Sequence, residues 1–188
     1  MTPVEGAANR AVITTARVRL RHFTHGDAAF LVTLLNDPDF LRHIGDRGVR
    51  TTDDAKAYLD AGPLASYRAN GFGLWCAEHR DSGELLGICG LLRRETLPAP
   101  DVGYALLPAA RGQGYAREAV AGVLAHARDV LQLSSVVAIV SPDNPRSAQV
   151  LESLGYRRTQ LVVAAPGANP VWLYETGAAA PAVSPHPS

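Results

Sequence analysis

Apolar and polar residues alternate along ARVRLRHFT, with Val18 and Leu20 set between arginines, the period of a half-buried strand. The spacing then turns helical in THGDAAFLVTLLND. Phe30, Leu31, Leu34 and Leu35 share a face, and Thr24 with Asp27 three residues on is close to a capping box. After the loop DRGVR a second, threonine-capped helix begins near Thr52 and is disturbed at Gly62-Pro63. FGLWCAEHR and LLGICGLLRR read as two strands about the turn Asp81-Ser82-Gly83, with DVGYALL as a third. Ala116, Ala119, Val120, Val123, Leu124, Ala127 and Leu131 recur at three- and four-residue intervals and predict a long amphipathic helix. SSVVAIV is a continuous apolar run, as a central strand should be. NPRSAQVLESLG is a helix with Pro145 in its first turn and Gly155 as its stop. YRRTQLVVAA and PVWLYET close the order β-α-α-β-β-β-α-β-α-β-β. This is neither a doubly wound alternation nor an all-β pattern, and it predicts an α+β fold with a mixed sheet.

The patterned part covers residues 17–176 and reads as one domain. Residues 1–16 read as a flexible arm, and the Pro/Ala-rich residues 177–188 as a disordered tail. A length of 188 residues suits a single core. Eighteen basic and 18 acidic residues leave no net charge, which argues against nucleic acid as a partner. No apolar run reaches the roughly 20 residues that span a bilayer, so no membrane partner is expected. The first residues lack the basic start and apolar block of a secretory signal, and a cytoplasmic location is the expectation. Cys76 and Cys89 lie on the two strands that flank the Asp81-Ser82-Gly83 turn, where they could face each other, and read as reduced, buried residues. With no CxxC motif or histidine pair beside them, no metal site is predicted.

LLPAARGQGYAREAVAG joins a strand to the long helix and puts Arg111, Gly112 and Gly114 at the join. A helix N-terminus carries about half a positive charge and unpaired N–H donors, so bare glycine backbone there suits a phosphate. The plain alternative is a tight strand-to-helix turn. A dinucleotide fingerprint would need a small residue where Arg117 stands, and a P-loop would need Gly-Lys-Ser/Thr; neither is present.

Arg111-Gly112-Gln113-Gly114-Tyr115-Ala116 matches R-x-x-G-x-G/A, and in this the chain resembles the GNAT family of acyl-CoA-dependent N-acetyltransferases. DVGYALLPAARGQGYAREAV and VSPDNPRSAQVLESLGYRR resemble its RimJ/RimL-like branch, with Asn144 and Ser147 as N-x-x-S. The resemblance implies the GNAT fold: a central, mostly antiparallel twisted sheet flanked by helices, with splayed central strands. It implies direct acetyl transfer from acetyl-CoA to a primary amine, either a protein N-terminus or a small molecule. Backbone groups of Leu106 and Leu107 would hold the pantetheine arm, and the amides of Gly112, Gln113, Gly114, Tyr115 and Ala116 the pyrophosphate. Arg111 would either touch phosphate or fix the turn. Tyr104 and Tyr115 would be packing residues, Tyr115 close to the cofactor.

For the base, the resemblance points first to Asp101, where relatives carry glutamate, although an aspartate after Pro100 could equally cap the strand. Glu78 on the neighbouring strand comes second. The tyrosine that serves many relatives as acid is replaced by Leu151. Ser147 then hydrogen-bonds the CoA sulfur and Asn144 the pantetheine, unless Ser147 only satisfies helix backbone. The rival to an enzyme is a catalytically weak acyl-CoA-binding sensor of the same fold, which Leu151 favours. Family habit suggests a homodimer, but no residue pattern establishes one.

Overall fold

The computed structural model describes residues 11–176. Residues 1–10 of the predicted arm, and the predicted tail at 177–188, lie outside the described residues.

Five antiparallel strands form a meander: β1 (Ala11–Thr14), β2 (Val18–Arg21), β3 (Leu74–His79), β4 (Leu85–Leu92) and β5 (Asp101–Leu106). β1 corrects the reading of residues up to 16 as a flexible arm. Residues 11–14 are a short β-prone run beside its hairpin partner, and Thr15 closes the turn by bonding the N–H and carbonyl of Val18 at 3.0 and 2.9 Å. Ile13 is buried against the sheet's helix, which comes so near at Gly122 that a methyl there would sit 2.8 Å from Thr15 Cγ2.

Strand alternation divides the sheet residues between two cores. Val18, Leu20, Trp75, Ala77, Cys89, Leu91 and Val102 pack beneath α5 (Tyr115–Asp129). Cys76 and Ile88 face the other layer, made of α1 (Ala28–Leu35), α2 (Pro38–His43), α3 (Thr52–Ala61) and α4 (Pro63–Asn70). Cys76 and Cys89 are both free and buried, but they belong to opposite faces, because Cys76 pairs with Ile88 and Cys89 with Trp75. α2 is an element that the hydrophobic spacing did not predict. Six residues are too few for a period, and it exists because Asp37 caps it, accepting from the N–H groups of Asp39 and Phe40, with Pro38 at its first position. The disturbance at Gly62-Pro63 divides one predicted helix into α3 and α4.

A second sheet has the order β6 (Ala138–Val140), β8 (Val171–Thr176), β7 (Tyr156–Val162), with α6 (Pro145–Glu152) packed against it. The two sheets meet where β5 and β6 lie parallel, and only at their start. Val102 N–H donates to Val137 O at 2.9 Å and Val137 N–H to Pro100 O at 3.0 Å, the bridge between Asp101 and Val137. Beyond that bridge the strands part. This is the α+β fold expected from the order of elements, with the splayed, mostly antiparallel sheet that the resemblance implied.

One charged cluster ties the helical layer to β2 and β3. Arg21 is buried and grips Asp27, at the start of α1, through two bonds of 2.8 and 2.9 Å, and its Nε reaches Glu78 at 2.9 Å. Burial works to raise the Asp27 carboxyl, but hydrogen bonds from Arg21 and Thr24 outweigh it and hold it below its ordinary value. Removing one partner leaves the other charge buried alone, so Asp27→Ala is expected to cost about 3 kcal/mol in a denaturant titration at neutral pH. Because the carboxyl is depressed in the fold, its contribution is complete above pH 3.8, the unfolded value, and is lost as the pH falls through the folded one.

Candidate active site

β5 runs into a single 3-10 turn, Pro108–Ala110, and then through Arg111 to Gly114 into α5. Gly112 and Gly114 take left-handed φ values of 73° and 83°, which a side chain would disfavour. This path turns successive N–H groups outward. Those of Gly112, Gln113 and Gly114 have no acceptor among the described residues, and those of Tyr115 to Arg117 are the orphan donors of a helix start. The first to find a carbonyl is that of Glu118, bonded to Gly114 O at 3.1 Å. Six donors on one helix terminus, with the dipole behind them, make a site suited to an anion.

Side chains around the turn brace it. Gln113 Nε2 donates to Ala109 O at 2.6 Å. Arg17, which the sequence did not single out, donates to Gln113 O at 3.0 Å, pairs with Glu118 at 2.8 Å and lies 4.7 Å above the Tyr115 ring. His79 meets that ring edge-on. The Tyr115 ring is therefore packed between Arg17 and His79, which leaves its backbone N–H as its contribution to the anion site.

Arg111 makes three bonds to protein groups around the turn. Its Nε donates to Leu106 O at 3.0 Å, Nη1 to Asp39 at 2.7 Å, and Nη2 to Asp37. Each of its three nitrogens has a protein partner, and two of them tie the turn to the start of α2. These bonds brace the turn.

Alternation along β5 places the backbone groups of Tyr104 and Leu106 on the same edge as Val102 N–H, the edge that faces β6. Past the Val137 bridge that edge has no strand beside it. The Leu106 carbonyl goes to Arg111, which leaves the Leu106 N–H, whereas the Leu107 N–H donates to Leu86 O at 2.8 Å. Leu106 is thus an open donor on the cleft, whereas at Leu107 the N–H is taken by Leu86 and the carbonyl already accepts from the Ala110 N–H at 2.9 Å.

On the far wall stands the first turn of α6. Asn144 caps it, accepting from the Ser147 N–H at 3.2 Å through Oδ1, so its amide nitrogen is the end left over for a ligand carbonyl. Ser147 Oγ lies 2.9 Å from the Tyr104 hydroxyl. Leu151, the position at which the resemblance implied the loss of a tyrosine acid, is 1% exposed and belongs to the core. A groove of about 620 Å³ between α6 and the second sheet touches Asn144, but no residue of β5 or of the glycine turn lines it.

Asp101 and Glu78 lie on one face of the sheet but are not neighbours. Their partners on β4 are Leu92 and Leu85, seven positions apart and so on the order of 20 Å. Glu78 is buried between Arg19 and Arg21, which donate to its two oxygens. Those arginines lie far from it in sequence, and the strand pattern alone could not show that Glu78 is held in an ion cluster. Asp101 is 1% exposed at the foot of the cleft, bonded to Arg94 Nε at 3.0 Å. Burial pushes its carboxyl up to about 6, with Arg94 opposing the shift. It is the one carboxylate at the splay whose environment makes it a stronger base than usual. No group of His, Cys, Asp and Glu residues that could hold a metal occurs among the described residues, and no helix there is long and apolar enough to cross a membrane.

The chain is similar in sequence to two Bacillus subtilis proteins. It is 29% identical to YkkB over 153 residues, covering 80% of this chain and 87% of the other. It is 26% identical to the N-acetyltransferase YoaA over 149 residues, covering 78% and 83%. Three solved structures share the fold, each under 25% identical to this chain. The acetyltransferase of Agrobacterium tumefaciens C58 has a TM-score of 0.74 at 24% identity, covering 88% of this chain and 93% of its own. RimL, the ribosomal L7/L12 alpha-N-protein acetyltransferase, has 0.74 at 14%, with the same coverage. The spermidine N-acetyltransferase of Vibrio cholerae, solved with CoA and spermine, has 0.70 at 16%, covering 86% and 95%. The acetyltransferase (GNAT) domain profile matches residues 17–157, which span both walls of the cleft, and the chain belongs to the GNAT acetyltransferase family.

Proposed function

We propose that this protein is a cytoplasmic, acetyl-CoA-dependent N-acetyltransferase that acts directly on a primary amine, a protein N-terminus or a small molecule. The observation that carries the reading is the run of unpaired N–H groups from Gly112 into α5, set at the mouth of the splay between β5 and β6. The backbone of Gly112 to Ala116 holds the pyrophosphate. The open edge of β5 at Leu106 and the Asn144 amide hold the pantetheine. Bound acetyl-CoA supplies an acetyl thioester.

The residues then divide the proton transfers. A free N–H on the β5 edge stabilises the thioester oxygen as it gains charge. Asp101 takes the proton that the amine sheds as its nitrogen bonds to the acetyl carbon, directly or through a water. Ser147 gives its hydroxyl proton to the sulfur as the carbon–sulfur bond breaks, and the proton on Asp101 balances that loss through solvent. The products are an N-acetyl amide and the free thiol. Glu78, saturated by two arginines, serves the fold and takes no part in the transfer.

The test is thiol release from acetyl-CoA against a panel of amines and N-terminal peptides, beside calorimetry with CoA. Turnover on one acceptor class supports the reading. CoA binding with no turnover on any acceptor would leave a sensor, and no CoA binding would overturn the assignment of the glycine turn.

Two variants sharpen it. Gly112 has open space around its α-carbon, so Gly112→Ala should fold. Its left-handed φ then costs about 1–2 kcal/mol, enough to bend the turn and weaken CoA binding about tenfold in calorimetry. Asp101 accepts a proton only when ionised, so kcat/KM should rise with pH through about 6. Asp101→Asn should lose that limb and about a hundredfold or more in kcat/KM.

A further inference from the structure

Tyr104 reads as a packing residue in the sequence, and its ring does pack against the core beneath α5. Packing, however, does not require a hydroxyl, and a phenylalanine would fill the same space. The hydroxyl crosses the splay from β5 to α6, where it meets Ser147 Oγ at 2.9 Å and the Ser147 carbonyl at 3.3 Å. Among the described residues it is the only protein partner of Ser147 Oγ. A first-turn serine can turn its proton toward backbone carbonyls one helical turn back, away from any ligand. Here the Ser147 N–H is held by Asn144, and the hydroxyl is held by Tyr104 instead of by backbone.

We propose that Tyr104 is a positioning residue for acetyl transfer: it donates its proton to Ser147 Oγ and so leaves the Ser147 proton aimed at the sulfur of the leaving CoA. The inference rests on the reading of Ser147 as the group that protonates that sulfur. As the Ser147 proton moves to sulfur, negative charge grows on Oγ. The bond from Tyr104 then becomes charge-assisted, roughly twice as strong as a neutral one. It is therefore stronger in the transition state than in the ground state, which is the condition for raising kcat. Burial pushes the Tyr104 phenol up to about 12, so it keeps its proton throughout and acts as a fixed donor, not as the source of the transferred proton.

The experiment is a double-mutant cycle on the full-length enzyme with Tyr104→Phe, Ser147→Ala and the pair. Acetyl-CoA turnover, CoA affinity by calorimetry and thermal unfolding are read for each. Tyr104→Phe should lower kcat about tenfold, with KM for acetyl-CoA changed less than about twofold, and should cost nothing further once Ser147 is alanine. If Ser147→Ala is impaired but Tyr104→Phe is not, this inference alone fails. It also fails if Tyr104→Phe loses the same factor in both backgrounds, or if its loss lies in KM or in unfolding. Full kcat in Ser147→Ala would overturn the role of Ser147 and this inference with it. Should Tyr104→Phe not fold, a fluorinated tyrosine placed at 104 keeps the ring and hydroxyl but ionises more readily. A fall in kcat at high pH should then appear at lower pH than in the parent enzyme, and an unmoved profile would overturn the proposal.

Discussion

A parallel strand pair that is hydrogen-bonded at one end only must find other partners for the backbone it leaves exposed. β5 and β6 share the bridge at Asp101 and Val137 and then separate. Every notable group nearby follows from that separation. The Leu106 carbonyl, lacking a strand partner, takes the Arg111 guanidinium. The Tyr104 hydroxyl crosses the gap to α6. The remaining N–H groups on the β5 edge stay available, and α5 opens at the same mouth with a further row of them. The cleft is not carved from a packed core; it is the place where two sheets fail to become one.

The charges serve to hold that opening in shape. Two arginines, each with a pair of carboxylates, connect the sheet and its turn to the helical layer. Arg21 of β2 binds Asp27 and Glu78, and Arg111 binds Asp37 and Asp39 at the start of α2. Asp37 is spent twice, on Arg111 and on the N–H groups that cap α2. The geometry of the glycine turn is thereby coupled to a helix of the opposite layer. In a protein with equal numbers of acidic and basic residues, charge acts here through such local pairs and not through a net field.

Much of this was legible in the residues. The strands, the long helix α5 and the helix α6 follow from period and from turn chemistry. The glycine turn was legible because glycine at a helix start has few reasons to be there. What escaped was short or distant. β1 has four residues and α2 six, too few for periodicity, although Asp37-Pro38 is a cap signal in plain view. Glu78 read as a second base because its neighbours along the strand do not reveal that Arg19 and Arg21 close over it.

Residues close in the chain were enough to set the order of elements apart from β1, α2 and the break between α3 and α4, and with it the two-faced sheet and the backbone path at Gly112 and Gly114. Only the tertiary structure decided what the polar side chains do. Arg111 meets Asp37 and Asp39 across more than 70 positions, and Tyr104 meets Ser147 across 43. Whether an arginine binds ligand or protein, and whether a tyrosine hydroxyl is idle or engaged, is set by which group first satisfies it. That partner is chosen by how the two sheets and the helical layer pack, which no local pattern contains.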